Sequence, residues 1–250
     1  MTAFSRFWND CLLRKIKLAP ARAGLNMIIS WVMFCWPTTI TGIAIGDREL
    51  RVEAVIDQEV LIDMVKTQHD LDHFPYGWML WPSAIGLSKY ILSNPQRFAG
   101  KRVLELGCGV GMSGVAAAIA GGTVTQTDYL SGALELATRN ATLNGIETTS
   151  CLGDWRDFPA ALIDSVDIVI GTDILYERTM HPYLETLLPM FTKRGVPVLI
   201  ADPIRPQSLD ALGLWEHDLF HVEHDFVDVP WDSQSKTIWI VELTKARGKG

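Results

Sequence analysis

The segment from Val103 to Gly111 joins an apolar run to a glycine-rich turn, and small residues at 113–120 follow it. Glycine lacks a Cβ atom, so such a turn can take positive φ and lets the backbone and the next helix start approach a ligand closely. A second apolar run, 123–127, ends at Asp128, about 20 residues after the turn, where a carboxylate can accept hydrogen bonds from a ribose diol. These residues predict a site for a nucleoside-containing cofactor.

The glycine pattern by itself leaves the cofactor open. Residues 109–114 read Gly-Val-Gly-Met-Ser-Gly, which also satisfies the G-x-G-x-x-G pattern of dinucleotide sites. Asp128 suits that interpretation as well. At this point S-adenosylmethionine (SAM) and NAD are both candidates, and the rest of the chain must distinguish them.

Polar and aromatic residues follow the other predicted strands. In an open α/β sheet, ligands bind beyond the carboxyl ends of the strands, so these residues are expected to converge on one edge of the sheet. They are Asp128-Tyr129, Gly153-Asp154-Trp155, Thr172-Asp173-Ile174-Leu175-Tyr176 and Asp202-Pro203-Ile204-Arg205.

The elements that must position these residues alternate between strand and helix, which indicates a parallel sheet with helices on both faces. The predicted strands are 102–106, 123–127, 148–152, 166–171 and 196–201, and the predicted helices are 113–120, 133–143 and 181–191.

Further elements flank this alternation. A hairpin with its turn at 46–48, a short helix at 57–65 and a helix opening at Trp81-Pro82 are expected before it. Two strands, 219–228 and 236–244, follow it and suit an antiparallel edge around Pro230-Trp231-Asp232. The sequence therefore predicts an α/β fold with a Rossmann-like, mostly parallel seven-strand sheet and an antiparallel C-terminal edge.

Several short motifs, taken in order, carry a family resemblance. The motifs that carry the resemblance are Trp81 heading a helix, E-L-G-C-G-V-G at 105–111, Thr127-Asp128, Asn140-x-x-x-Asn144, Asp154-Trp155 and the D-x-x-Y run at 173–176. The chain resembles the seven-strand SAM-dependent methyltransferases, in particular the protein-lysine methyltransferases of methyltransferase family 16. The Asp-Pro-Ile-Arg run at 202–205 is similar to the D-P-x-R of the branch that methylates electron-transfer flavoprotein and of its bacterial relatives. The resemblance covers roughly residues 74–203.

The resemblance implies a set of cofactor contacts. Asp128 would hold the ribose hydroxyls, and Tyr129 would lie against one face of the adenine. Asp154 would accept from the adenine amino group, while Trp155 gives apolar cover. Glu105 would order the glycine turn from below. The residues assigned to SAM directly are Trp81, Gly107, Cys108, Gly109, Asp128, Trp155 and Thr172.

Asp173 and Tyr176 are the candidate catalytic residues. The sulfonium of SAM already activates the methyl group, so transfer needs mainly in-line alignment and exclusion of water. A lysine amine must be neutral on attack and held by acceptors, which these two side chains could supply. The alternative, purely structural roles are a helix N-cap for Asp173 and a packed aromatic side chain for Tyr176. Asn140 and Asn144 are interpreted as helix-surface and C-cap residues.

Three functions remain open at this level. The first is a SAM-dependent N-methyltransferase acting on a protein lysine, and the second is a methyltransferase acting on a small-molecule amine. The third is a SAM-binding module without catalysis, and an NAD-dependent oxidoreductase is a less favoured alternative to it.

Composition restricts the partners. A net charge of −7 without a basic cluster in the domain disfavours nucleic acid, because phosphate binding needs a basic face. The four cysteines show no C-x-x-C spacing and no disulfide framework, so a reducing, cytoplasmic setting is the default. No metal site is expected: His217, His221 and His224 lie four and three apart, but this set enters a predicted strand, where that spacing does not put all three on one face.

The first 46 residues differ from the rest, and we divide the chain into an extension, 1–46, and a methyltransferase-like domain, 47–250. Basic residues precede an uncharged stretch at 23–46, as in a signal sequence or a membrane anchor. A mitochondrial presequence or interfacial helix, with membrane contact through the extension, is a second interpretation. A third is a functionless extension with the working protein starting near Met27.

Overall fold

The computed structural model describes residues 38–55 and 76–246, and the side chain of residue 217 is not described. A compact unit begins at Thr39 and contains the predicted hairpin, whose first strand lies on the extension side of the boundary expected after Gly46. The interpretations of residues 1–37 and the helix expected at 57–65 lie outside the described residues. Among the helices that are described, none is long and apolar enough to cross a membrane.

The strands and helices follow the predicted order closely. The strands are β1 Thr39–Ile45, β2 Arg48–Ala54, β3 Arg102–Leu106, β4 Thr123–Asp128, β5 Thr149–Leu152, β6 Ile168–Thr172, β7 Val198–Asp202, β8 Phe220–Trp231 and β9 Gln234–Lys245. The helices are α1 Pro82–Ser93, α2 Met112–Ile119, α3 Ser131–Leu143, α4 Ala160–Ile163, α5 His181–Thr192 and α6 Pro206–Asp218.

The main sheet has seven strands in the order β5-β4-β3-β6-β7-β9-β8. The first five run parallel, whereas β9 pairs antiparallel with both β7 and β8. The predicted fold class and its antiparallel C-terminal edge are confirmed. Because β3 and β6 pair with Leu106 opposite Gly171, the glycine turn and the 172–176 segment leave neighbouring strands at the same edge.

The central strands are buried along almost their whole length, as expected for a parallel sheet covered by helices. Helix α1 packs against β8 and β9 at the antiparallel edge. Gly86 permits this close approach, because a Cβ atom there would lie 2.8 Å from the Ile238 side chain. This close packing fixes the start of α1, with Trp81 and Ser83, relative to the sheet.

Helix α6 was not predicted from the sequence. Its buried positions Ser208, Ala211, Leu212 and Trp215 follow helical spacing, and Pro206 stands in its first turn, so both signals were present. The turn between β8 and β9 lies slightly later in the chain than the predicted turn around Pro230-Trp231-Asp232. It consists of Asp232 and Ser233, both at positive φ, while Pro230 belongs to the edge strand.

The interpretation of Asn140 as a helix-surface residue is wrong. Asn140 is fully buried, and its side chain bonds the N–H and C=O of Glu53 in β2 as well as the carbonyl of Val110. Asn144 is the C-cap of α3 as expected, and it also exchanges two hydrogen bonds with the backbone of Arg51. The two side-chain amides therefore bond the backbone of β2 as a neighbouring strand would, and they attach the hairpin to α3.

Candidate active site

The glycine turn after β3 has the backbone that the sequence predicts. Gly107, Gly109 and Gly111 have φ values of 60°, 51° and 75°. A Cβ atom on Gly107 would lie 3.1 Å from the ring of Trp155, so a larger residue would press on that ring. Cys108 is buried, and its N–H donates to the carbonyl of Thr127 on β4. The turn is thus fitted between two strand ends and an aromatic side chain.

Glu105 lies beneath this turn. Its Oε2 accepts hydrogen bonds from the N–H of Gly114 at 3.1 Å and from Nε2 of Gln126 at 2.7 Å. Gln126 Nε2 also donates to the carbonyl of Gly111, and the Thr148 hydroxyl donates to Gln126 Oε1. Burial raises the pKa of Glu105 to about 8, against the opposing effect of its two donors.

This pKa makes the stability depend on pH in a defined direction. At neutral pH the folded protein holds a proton on Glu105 that the unfolded chain, with the ordinary pKa of 4.5, releases. The free energy of unfolding should therefore fall as the pH rises from about 4.5 to 8, by up to about 1.4 kcal/mol per pH unit from this group. Urea unfolding of the wild type and Glu105→Gln at pH 5, 6, 7 and 8 should show this slope only in the wild type.

Glu135→Gln provides the control, because Glu135 is an exposed carboxyl on α3. Its slope should match that of the wild type. Equal slopes for wild type and Glu105→Gln would show that Glu105 is ionised in the folded protein.

Asp128 ends β4 and is 5% exposed. Its Oδ2 accepts from the N–H of Gly109 and its Oδ1 from the N–H of Leu130, each at 3.0 Å. Burial raises its pKa, and the backbone donors act in the opposite direction. Each carboxylate oxygen can accept a further bond, so the group retains capacity for the hydroxyls of a ribose. The neighbouring Tyr129 is 55% exposed, with its ring free to cover a ligand on that side.

Three aromatic side chains, Tyr76, Trp81 and Tyr176, form what we call the aromatic rim. The Tyr76 ring lies 5.6 Å from that of Tyr176 and 6.3 Å from that of Trp81, and Trp81 Nε1 donates to the Tyr76 carbonyl. The rim adjoins the glycine turn, because a Cβ atom on Gly109 would lie 3.2 Å from the carbonyl oxygen of Gly77. Burial raises the pKa of the Tyr176 hydroxyl, which keeps it a neutral hydrogen-bonding group.

Of the two predicted site residues after β5, Trp155 contacts the glycine turn, whereas Asp154 is paired with a neighbouring arginine. Trp155 is half-buried and contacts the glycine turn, as described above. Asp154 is engaged with Arg156, whose Nε lies 2.9 and 3.0 Å from its two carboxylate oxygens, and this hydrogen bonding lowers the pKa of Asp154. The acceptor predicted for the adenine amino group is thus already satisfied by a neighbouring cation.

Asp173 lies at the exit of β6, one residue after Thr172, and is 8% exposed. It has a φ of 55°, which is uncommon for a residue other than glycine. The next helical turn begins at Arg178, so the N-cap alternative for Asp173 is wrong. Burial raises the pKa of this carboxyl, whereas Arg205 beside it acts in the opposite direction.

The surroundings of Asp173 are polar but incompletely hydrogen-bonded. Its Oδ1 contacts Nη1 of Arg205, yet neither carboxylate oxygen completes a hydrogen bond of ordinary geometry within the described residues. Ser83 is fully buried beside Asp173, and its hydroxyl acts to lower the pKa of that carboxyl, as a hydrogen-bond donor does. Gln207 in α6 donates to the carbonyl of Tyr176, so α6 helps to fix the 173–176 segment.

The structure thus brings most of the predicted residues to one edge of the sheet. Sequence reasoning missed four that position them: Tyr76, Ser83, Gln126 and Gln207. Ser83 follows the helix-opening Trp81-Pro82, which was a usable signal. Gln126 and Gln207 act through contacts distant in sequence and had none, and Tyr76 joins its near neighbour Trp81 to the distant Tyr176.

The fold and this edge define the class of protein. The structure is similar to that of a tRNA (uracil-54, C5)-methyltransferase from Pyrococcus abyssi crystallised with S-adenosyl-L-homocysteine, with a TM-score of 0.52 at 16% identity, covering 84% of this chain and 45% of that one. The chain therefore has the seven-strand methyltransferase fold.

The family follows from the sequence comparisons. Residues 63–211, more than half of the chain, match the family described as lysine methyltransferase, and the protein belongs to that family. It is 33% identical over 138 residues to the electron transfer flavoprotein beta subunit lysine methyltransferase of Danio rerio, covering 54% of this chain and 53% of that protein. It is 35% identical over 107 residues to the histone-arginine methyltransferase METTL23 of Xenopus laevis, covering 41% and 46%. The chain spans about half the length of the curated relatives it matches.

Proposed function

We propose that this protein transfers a methyl group from SAM to an amine nitrogen, and that its acceptor is a lysine side chain of a protein. The observation that carries this is the position of Asp173. A buried carboxylate, paired with Arg205 through one oxygen, lies at the exit of the strand adjacent to the glycine turn. Family membership supports the same reaction class.

The residues at the sheet edge fit SAM. Asp128 has acceptor capacity for the ribose hydroxyls, Tyr129 has an exposed ring to cover the adenine, and Trp155 limits the space beside Gly107. Glu105 holds the turn from below, and Cys108, Gly109, Thr172 and Trp81 lie around the same edge. SAM would supply an already activated methyl group, so the chain has to bind, align and exclude water.

Asp173 and Tyr176 are suited to the amine side of the reaction. The carboxylate can accept a hydrogen bond from the amine and compensate the positive charge that develops as the nitrogen is methylated. The Tyr176 hydroxyl offers a neutral hydrogen bond three residues further on. The aromatic rim covers part of the same place, because the Tyr76 ring lies against the rings of both Trp81 and Tyr176.

A protein acceptor is favoured over a metabolite by two observations. The rim residues Tyr76 and Tyr176 are 40% and 38% exposed, so the described part of this edge is open. Relatives matched by the chain are named for protein substrates, including a second lysine enzyme, EEF1A lysine methyltransferase 3 of Mus musculus, at 37% identity over 108 residues. A net charge of −7 suits a basic or neutral partner and not nucleic acid. We place the protein in the cytoplasm on the basis of its cysteine usage.

A labelling experiment tests the proposal. Purified protein is incubated with methyl-labelled SAM and a lysate, the products are separated by size, and the labelled residue is identified by mass spectrometry. Label in protein at methyl-lysine is the expected result, and Asp173→Asn is the matched variant that should reduce it. Label in methyl-arginine or in the small-molecule fraction would show that the acceptor is an arginine or a metabolite and not a lysine. SAM binding without transfer to any fraction would indicate a binding module.

A further inference from the structure

Arg205 lies between two buried carboxylates at the exits of neighbouring strands. Its Nη1 contacts Asp173 Oδ1 and lies 3.2 Å from Asp202 Oδ2. Asp202 is fully buried, and Asp173 is 8% exposed. A guanidinium is always charged, so Arg205 can offset the negative charge of only one of the two carboxylates.

The fold fixes Arg205 in this position. Asp202 accepts a hydrogen bond from the backbone N–H of Arg205 at 2.8 Å and another from Ser208 Oγ at 2.7 Å. Ile204 has a φ of 63°, and a β-branched residue takes such a value only where the surrounding structure imposes it. Asp173 at the other end of the contact is in the same region of φ. This is a built arrangement, unlike an exposed surface ion pair.

The contact occupies only one oxygen of Asp173. The other, Oδ2, is buried, and the Ser83 hydroxyl lies beside the carboxyl and acts to lower its pKa, as a hydrogen-bond donor does. Buried acceptors are rarely left without a donor, because the loss of hydration is then uncompensated. A primary amine carries several N–H donors and would supply a further hydrogen bond to this carboxyl.

We propose that Arg205 is a positioning residue that keeps Asp173 in its carboxylate form and occupies Oδ1, leaving Oδ2 to receive the acceptor amine. This rests on the proposed function of Asp173 in amine binding. Without the cation, Asp173 and Asp202 would be two adjacent buried carboxylates, which share a proton and cannot both ionise readily. A protonated Asp173 would lose the charge that compensates the developing cation.

Carbon-13 NMR of protein labelled at the aspartate Cγ measures this directly, with the Asp173 signal assigned by its loss in Asp173→Asn. The groups facing Asp173 are Arg205 and Asp202 from the segment after β7 and the Ser83 hydroxyl from α1. The Asp173 titration should move to higher pH in Arg205→Met and by less in Arg205→Lys. Arg194→Met, which removes an exposed ion pair with Asp164, should leave it unchanged.

Methyl transfer to lysate protein at saturating SAM gives the second readout. Arg205→Met should reduce the rate on the order of tenfold, with partial recovery in Arg205→Lys and with SAM affinity preserved. If Arg205→Met does not fold, Arg205→Gln carries the test, because it also removes the positive charge and should move the Asp173 titration to higher pH.

The outcomes separate the two proposals. An Asp173 titration that is the same in wild type and in folded Arg205→Met would overturn the role of Arg205, whatever the activity. A wild-type protein that binds no SAM and labels nothing would overturn the proposed function, while the titration would still decide whether Arg205 controls the ionisation of Asp173.

Discussion

Replacing Asp173 by alanine is expected to lower the rate of methyl transfer on the order of 100-fold at saturating SAM. A carboxylate beside the incoming amine both orients its lone pair and compensates the charge of the product. Tyr176→Phe should lower the rate by less, because a phenol contributes one neutral hydrogen bond. Rates are measured on the acceptor protein found by labelling, together with SAM affinity by calorimetry, since Asp173 lies close to the cofactor side of the edge.

Two variants separate chemistry from folding in this experiment. Alanine at a φ of 55° is strained, whereas asparagine tolerates this region, so Asp173→Asn removes the charge with less disturbance of the backbone. Asp210→Asn, which alters an exposed partner of Arg178, serves as the control and should keep the wild-type rate. Near-normal turnover of folded Asp173→Asn at saturating SAM would assign Asp173 a packing role.

Replacing Asp128 by alanine should weaken SAM binding by about 2 to 3 kcal/mol, which corresponds to about 30- to 150-fold in Kd. The carboxylate would lose its charge-assisted bonds to the ribose, and the N–H groups of Gly109 and Leu130 would lose their acceptor. Asp128→Asn should bind with intermediate affinity because one oxygen acceptor remains. Titration calorimetry with SAM and with S-adenosylhomocysteine measures both effects.

The matched control for Asp128 is Asp164→Ala, which removes an exposed carboxylate at the end of α4 and should leave the affinity unchanged. NAD is titrated in parallel, because the glycine pattern also fits a dinucleotide. Binding of NAD with no binding of SAM would reverse the cofactor assignment.

Much of the fold could be read from the sequence because its signals are local. The apolar run 102–106 became β3 without any change in bounds, and Pro82 began α1 as predicted. The alternation of strands and helices implied a parallel sheet, and parallel strands place their carboxyl ends at one edge. The convergence of Gly107, Asp128 and Asp173 follows from that rule alone.

The remaining features depend on contacts between distant segments. Asn140 carries the same helical pattern whether it faces water or β2, and only the packing of the hairpin on α3 decides that it is buried. Arg156 and Asp154 are close in sequence, yet their ion pair became visible only in the folded loop.

The candidate catalytic edge divides in the same way between sequence and structure. The residue types and spacing of Asp173 and Tyr176 predict an acceptor pair after β6, since a strand exit is a local property. Only the tertiary structure decided that Arg205 sits against Asp173 and that Ser83 lies beside it, because charges and hydroxyls meet there through the packing of α1 and α6 on the sheet. The ionisation of a buried carboxylate depends on what surrounds it in space, and the order of residues along the chain does not encode that directly.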